Sequence, residues 1–137
     1  ILILCVSFLL LRNIRLAVIS LASLITALAA VAAGFVIGGR ALNAPALIAS
    51  IVVTGLSLDY GILMLYGLKG SHVDITQKAM WVSASTTLIG AATLLFAKHP
   101  LLYSIGLALT WGLSAGFITA QFVVGALYRL WVVKKYE

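Results

Sequence analysis

The sequence predicts an all-α protein, a polytopic bundle of membrane-spanning helices, and three observations lead there. Of its 137 residues 64% are hydrophobic and only 9% charged, with a mean hydropathy of +1.20. A soluble domain is about half apolar and about a quarter charged, so a water-exposed fold cannot hide this much apolar surface. The apolar residues also fall into runs close to the roughly 20 that a helix needs to cross a hydrocarbon core of roughly 30 Å. Finally, apart from Asp59 and Arg129, the charged residues lie in the short breaks between runs or in the tail.

Taken in order, residues 1–11 form an apolar run too short to cross and without an initiating Met, which reads as the exit half of a cut helix. A secretory signal would carry its basic residues before the run, whereas Arg12 and Arg15 follow it. Residues 16–37 are the first full span, closed by Gly38 and Gly39. Asn43 offers an N-cap and Pro45 a first-turn residue for the span 45–68. Gly70 and Ser71 end it, residues 79–97 cross next, and Pro100 restarts the chain for a last span over about 101–133. The expectation is four full spans after one truncated N-terminal span, in a single membrane domain, with no soluble domain and no internal repeat.

Orientation follows from the basic residues, which are enriched in loops retained in the cytoplasm. One side would hold Arg12, Arg15, Lys69, Lys78, Arg129, Lys134 and Lys135, the other only Arg40 and Lys98, seven against two. That puts the C-terminus inside, with Trp81, Tyr128 and Trp131 toward the cytoplasmic interface, where amphipathic rings are favoured. The net charge of +6 is spread over loops and tail rather than gathered on one face, which excludes nucleic acid as a partner. Cys5 is the only cysteine and sits in an apolar run, so no intramolecular disulfide is possible and it reads as a small filler. His72, His99 and Asp74 read as loop residues with no second ligand at metal spacing. With no nucleophile elbow, phosphate loop or zinc signature, neither an enzyme nor a bound cofactor is expected.

Asp59 carries the chemistry. It is the fifteenth residue of the run 45–68, about 21 Å along a rod of about 36 Å, close to the bilayer midplane. A carboxylate there costs about 2.5–3.5 kcal/mol on insertion scales, so such acids face a bundle interior or a wet cavity and mark proton or ion routes. Desolvation favours the neutral acid and a nearby cation or water the charged one, so the group can load and release a proton as its surroundings change. Val52, Gly55, Asp59, Ile62 and Tyr66 share a stripe, with Gly55 removing bulk one turn before the acid. Tyr60 turns about 100° away and offers a phenol either to a proton chain or to ordinary packing. Ser83, Thr86, Thr87 and Gly90 fall on one face of the next span; Thr86 and Thr87 read as hydrogen-bond donors to Asp59, or else as helix glue. Gly34 with Gly38 and Gly112 with Gly116 have the spacing of close helix approach, and Gln121 is a polar residue inside the last span.

The run Gly55-Leu56-Ser57-Leu58-Asp59-Tyr60-Gly61 resembles the Asp-Tyr motif of resistance-nodulation-division (RND) transporters, in particular the mycobacterial-membrane-protein-large (MMPL) exporter branch. Ser85 to Gly90, then Leu94 to Pro100 and Ser104 to Leu107, look like the next two helices and their tight turn in that branch. The resemblance implies a proton-driven exporter of lipid or other hydrophobic molecules in the cytoplasmic membrane. Its membrane domain has two six-helix halves related by an axis along the membrane normal, each with a large extracytoplasmic domain. This chain would match helices two to six of one half, the C-terminal one by its short basic tail. Asp59 and Tyr60 would be the proton relay, supported by Gly55, Thr86 and Thr87. The partners implied are membrane lipid, protons, a hydrophobic substrate and the missing half, on the same polypeptide or as a second copy. The rival readings are a non-transporting membrane subunit or lipid-sensing module, and a stand-alone channel or homodimer that pairs two copies of Asp59.

Overall fold

The computed structural model describes residues 14–69 and 73–131. The cut first span, Cys5, His72 and the basic tail lie outside the described residues. What is described is an all-α polytopic bundle, with four stretches long and apolar enough to cross a membrane: Val18–Ile37, Ala44–Leu68, Val73–Phe96 and Pro100–Tyr128. The protein is a multi-pass membrane protein.

Helix α1, Ile14–Ile37, ends where the sequence places its two glycines. Gly39 has φ +61°, the left-handed conformation that lacks a penalty only for residues without a side chain. Arg40 N–H donates to Phe35 C=O at 3.0 Å and Gly39 N–H to Val36 C=O at 3.1 Å, the paired bonds of a Schellman ending. Helix α2, Ala44–Lys69, opens on Asn43. The Asn43 Oδ1 accepts from Ala46 N–H at 3.1 Å while its Nδ2 donates to Ser104 Oγ at 2.8 Å. One side chain therefore caps α2 and ties it to the last span.

Helix α3, Val73–Thr93, starts six residues before the predicted 79. Asp74, expected in a loop, lies in its first turn, where an acid suits the partial positive charge of a helix start. Close approach to α2 helps: a Cβ at Gly67 would come within 2.9 Å of Thr76 Cβ, so the two helices touch immediately after the turn. At its far end α3 tightens into a 3₁₀ turn, Leu94–Phe96, instead of running to Ala97. The cause is Pro100, which holds His99 extended at φ −83°, ψ 123° and so separates the two helices.

Helix α4, Pro100–Thr119, begins with its proline in the first turn. His99, expected to be merely solvated, accepts from Leu101 N–H at 3.3 Å through Nδ1 as the N-cap. The predicted continuous helix over 101–133 is interrupted by a π turn, Ala120–Val124, before α5, Gly125–Trp131. The wider turn keeps Ala120, Val124 and Gly125 all on the buried side. A uniformly apolar stretch gives no periodicity from which that extra residue can be read.

Helix α4 is the centre of the bundle and packs on α1, α2 and α3. Burial ranks the spans accordingly: 44% of the last lies inside, against 17% of Val73–Phe96. So α3 is a peripheral helix. The core is two apolar clusters, one around Tyr60, Met64, Leu65, Met80 and Phe117, the other around Val31, Phe35, Val53, Leu107 and Leu113.

Candidate functional site

Between those clusters, at mid-height, the packing is polar. Ser23 Oγ lies 2.8 Å from both the Ser20 and the Ser57 carbonyls, and Thr26 Oγ1 donates to Thr119 Oγ1 at 2.9 Å. Glycines let the backbones close on this belt. A Cβ at Gly61 would sit 2.9 Å from Ser23 Oγ and 3.2 Å from Ser20 C=O, and one at Gly116 would collide with Ser57 Oγ. Small residues that bring helices together and hydroxyls that bond across them are the means by which helices associate in lipid.

The acid lies at this level of α2. Asp59 is the sixteenth of its 26 residues, about 22 Å along a rod of about 38 Å. Yet it faces outward. The buried side of α2 is Val53, Ser57, Leu58, Tyr60, Gly61, Met64 and Leu65, while Asp59 is exposed together with Val52, Leu63 and Tyr66. Sequence reasoning expected a bundle interior or wet cavity; among the described residues the carboxylate stands instead on the outer surface of the four-span body. A Cβ on Gly55, one turn earlier, would meet nothing within 4 Å, so the space beside the acid is open.

Tyr60, about 100° further round the helix, points into the bundle and is 3% exposed. Its ring packs edge-on against Phe117 with centroids 5.7 Å apart, and Trp81 packs on the same phenylalanine at 4.8 Å. The Thr87 and Ser83 hydroxyls of α3 stand beside the phenol, but none meets it with hydrogen-bonding geometry and the Tyr60 oxygen is left buried and unpaired. The Asp-Tyr pair thus straddles α2, its acid outside and its phenol inside.

Thr86 and Thr87 do not reach the acid. Thr86 Oγ1 lies 3.2 Å from Val82 C=O and 2.9 Å from Ser83 C=O, and Thr87 Oγ1 donates to Ser83 C=O at 2.9 Å. Both hydroxyls are turned back on their own helix, the usual recourse of such residues in lipid. Their face is nevertheless open: Ala79, Ser83, Thr86, Gly90 and Thr93 are all exposed, and a Cβ on Gly90 would meet nothing within 4 Å. Helices α2 and α3 are neighbours, so the outer surface of this pair carries an acid, hydroxyls and two open glycines.

The paired glycines serve other contacts. A Cβ at Gly34 would lie 2.7 Å from the Trp111 ring and one at Gly112 would lie 2.6 Å from Val53 Cγ1, whereas Gly38 faces mainly its own helix and Leu107. Two features escaped the sequence reading. The spacing of Ser20, Ser23 and Thr26 by threes was the available sign of the hydroxyl belt. Gln121 stands out in the sequence as a polar residue inside the last span, but nothing there shows that it falls in a π turn with its Nε2 buried and without an acceptor. Among the described residues no three His, Cys, Asp or Glu side chains converge as metal ligands. Compared with known proteins, the chain is matched by no family model, no curated protein and no solved structure.

Proposed function

We propose that this chain is the membrane part of a proton-driven exporter of the RND type, MMPL-like in plan, in which Asp59 takes up and releases the transported proton. The observation that carries the reading is the acid's position: midway along a span, on the outer face of the bundle, beside open space at Gly55. A carboxylate facing lipid at that depth costs about 2.5–3.5 kcal/mol or more, so the face calls for a cover. A second helical body, supplied by the other half of the transporter, removes that cost by enclosing the acid with water or a cation. Its approach is supported by Gly55, Gly90, Ser83 and Thr86, small or hydroxyl residues set among the exposed aliphatic side chains of α2 and α3, which allow close helix contact and hydrogen bonds there.

Enclosed in this way, Asp59 responds to the conformation of its surroundings. A dry arrangement favours the neutral acid and a wet or cation-lined one the carboxylate, so alternation between the two moves a proton and couples it to rearrangement of the halves. Tyr60, buried with an unpaired hydroxyl, is a second member of the relay on the inner side of the helix. Hydrophobic or lipid-like substrates, a cytoplasmic-membrane location and an inside C-terminus follow from the family resemblance and the basic-residue asymmetry; no enzymatic step is involved.

Substituting Asp59→Asn in the intact parent protein tests this. Proton-dependent export in inverted vesicles is expected to fall at least about a hundred-fold, with insertion and helicity unchanged, because the amide keeps the shape and removes the titration. Retention of export by that variant would identify the chain as a scaffold or sensing subunit instead.

A further inference from the structure

The last span changes register between α4 and α5, and its hydrogen bonds show how little holds the change in place. At the head of the π turn the Ala120 N–H is shared between the Gly116 and Phe117 carbonyls, and just past its foot the Gly125 N–H turns to the Phe122 carbonyl three residues back. A π turn holds one residue more than an α turn, is rare, and is found mostly at functional positions. This one contains no proline that would require it. It also contains Gln121, whose Nε2 is buried without an acceptor among the described residues, and an amide donor left unpaired in an apolar setting is costly.

A continuous α-helix through this turn would rotate everything beyond it by about 100°. Each residue there would take the place its successor now holds: Val124 that of Gly125, Ala126 that of Leu127, and Leu127 that of Tyr128, with Val123 moving toward the place of Val124. These exchanges bring only apolar side chains inward. Leu127 and Tyr128 already border one core cluster, that of Tyr60 and Met64, so either register covers it. The one small-to-large exchange on the buried side is Val124 for Gly125. A Cβ at Gly125 meets a single atom within 4 Å, Met64 Cε at 3.4 Å. That atom ends an adaptable side chain, and Met64 lines a groove of about 640 Å³ among α2, α3, the π turn and α5, so the methyl has room to swing aside.

We propose that the last span has two registers: the π turn described above, and a continuous α-helix in which α5 is turned by about 100° and the end of Met64 lies in the groove. Packed interfaces of this kind switch between discrete arrangements rather than deform continuously. The move changes what packs beside Tyr60 and Met64 while α4 stays fixed. It involves no titration and does not depend on the relay reading.

The chain has two methionines, Met64 and Met80, so ¹³C-methyl labelling of methionine in the full chain reads Met64 directly, with Met80→Leu to assign the two. In lipid nanodiscs the Met64 methyl should give two signals, or one signal broadened by exchange on the µs–ms timescale of helix register shifts. Deleting Val123 makes an α turn that keeps the present orientation of α5, and should leave Met64 with one signal and no exchange. Gly125→Val crowds Met64 in the present register, whereas in the other it takes the exposed place of Ala126. It should enrich the second register about ten-fold, the effect of one overpacked contact. A Met64 methyl without exchange in the parent chain overturns the proposal, whether or not the deletion variant folds. So does exchange that survives the deletion, or a Gly125→Val chain with the populations of the parent.

Discussion

Tyr60 and Asp59 are adjacent in sequence and opposite in environment, and that contrast sets what each substitution does. The Tyr60 hydroxyl is buried and has no partner, so Tyr60→Phe removes a desolvated group without breaking a bond. Stability should change by no more than about 1 kcal/mol, and in the stabilising direction. Export should nonetheless be lost if the phenol passes a proton; thermal unfolding in detergent and transport by the same variant separate the two effects. Glycines divide in the same way. Gly61→Ala drives a methyl against Ser23 Oγ and the Ser20 backbone, displacing the hydroxyl that bridges α1 and α2, and should cost about 1–3 kcal/mol as overpacking does. Gly55→Ala meets nothing among the described residues and gains helix propensity, so the same unfolding measurement should find it unchanged or up to about 1 kcal/mol more stable, while assembly with the proposed second half suffers. The importance of Asp59 was legible in the sequence because an acid in an apolar run is conspicuous. Which way it faces was not, since apolar residues surround it on every side of the helix and only the packing of α1 and α4 against Ser57, Gly61 and Leu65 fixes the rotation.

Elements were legible to the extent that they carry chemical punctuation. Gly38, Gly39, Asn43 and Pro100 mark ends that occur where the sequence places them, because each changes what the backbone can do locally. The start of α3 has no such mark: Asp74, Thr76 and Lys78 are polar enough to pass for a loop, yet they are helical, with Thr76 packed against Gly67 of α2. The π turn at 120–124 is silent for the opposite reason, an unbroken apolar run. Asn43 provides the test at this scale. Asn43→Ala removes both the cap to Ala46 and the bond to Ser104 and should destabilise by about 1–2 kcal/mol. Asn43→Asp keeps a capping oxygen while losing the donor, so its unfolding midpoint should fall between those of the alanine variant and the parent.

At the scale of the molecule, the outward surfaces are not alike, and the difference predicts how the chain associates. Large aliphatic side chains face outward on all of the first three helices, Ile25 and Ile37 on α1 as well as Ile48 and Ile51 on α2 and Val82 and Ile89 on α3. What the α2–α3 surface adds is an acid, Asp59, set with Gly55, Ser83, Thr86 and Gly90, and α3 itself is only 17% inside the bundle. Lipid tails gain nothing from small and hydroxyl residues, whereas another helix gains close contact and hydrogen bonds. In membranes containing only this chain, a second copy should therefore occupy the face that the proposed second half would cover, since self-complementary pairing about a two-fold axis is the commonest closed arrangement. With Cys5→Ser as background, Gly90→Cys should yield disulfide-linked dimers under mild oxidation while Ile25→Cys, on the outward face of α1, should not. Gly55→Leu, which fills the open space beside the acid, should suppress the Gly90→Cys cross-link. Equal cross-linking from both faces would mean that chance collision, not a prepared surface, brings the copies together, and the need of Asp59 for a covering partner would lose its physical basis.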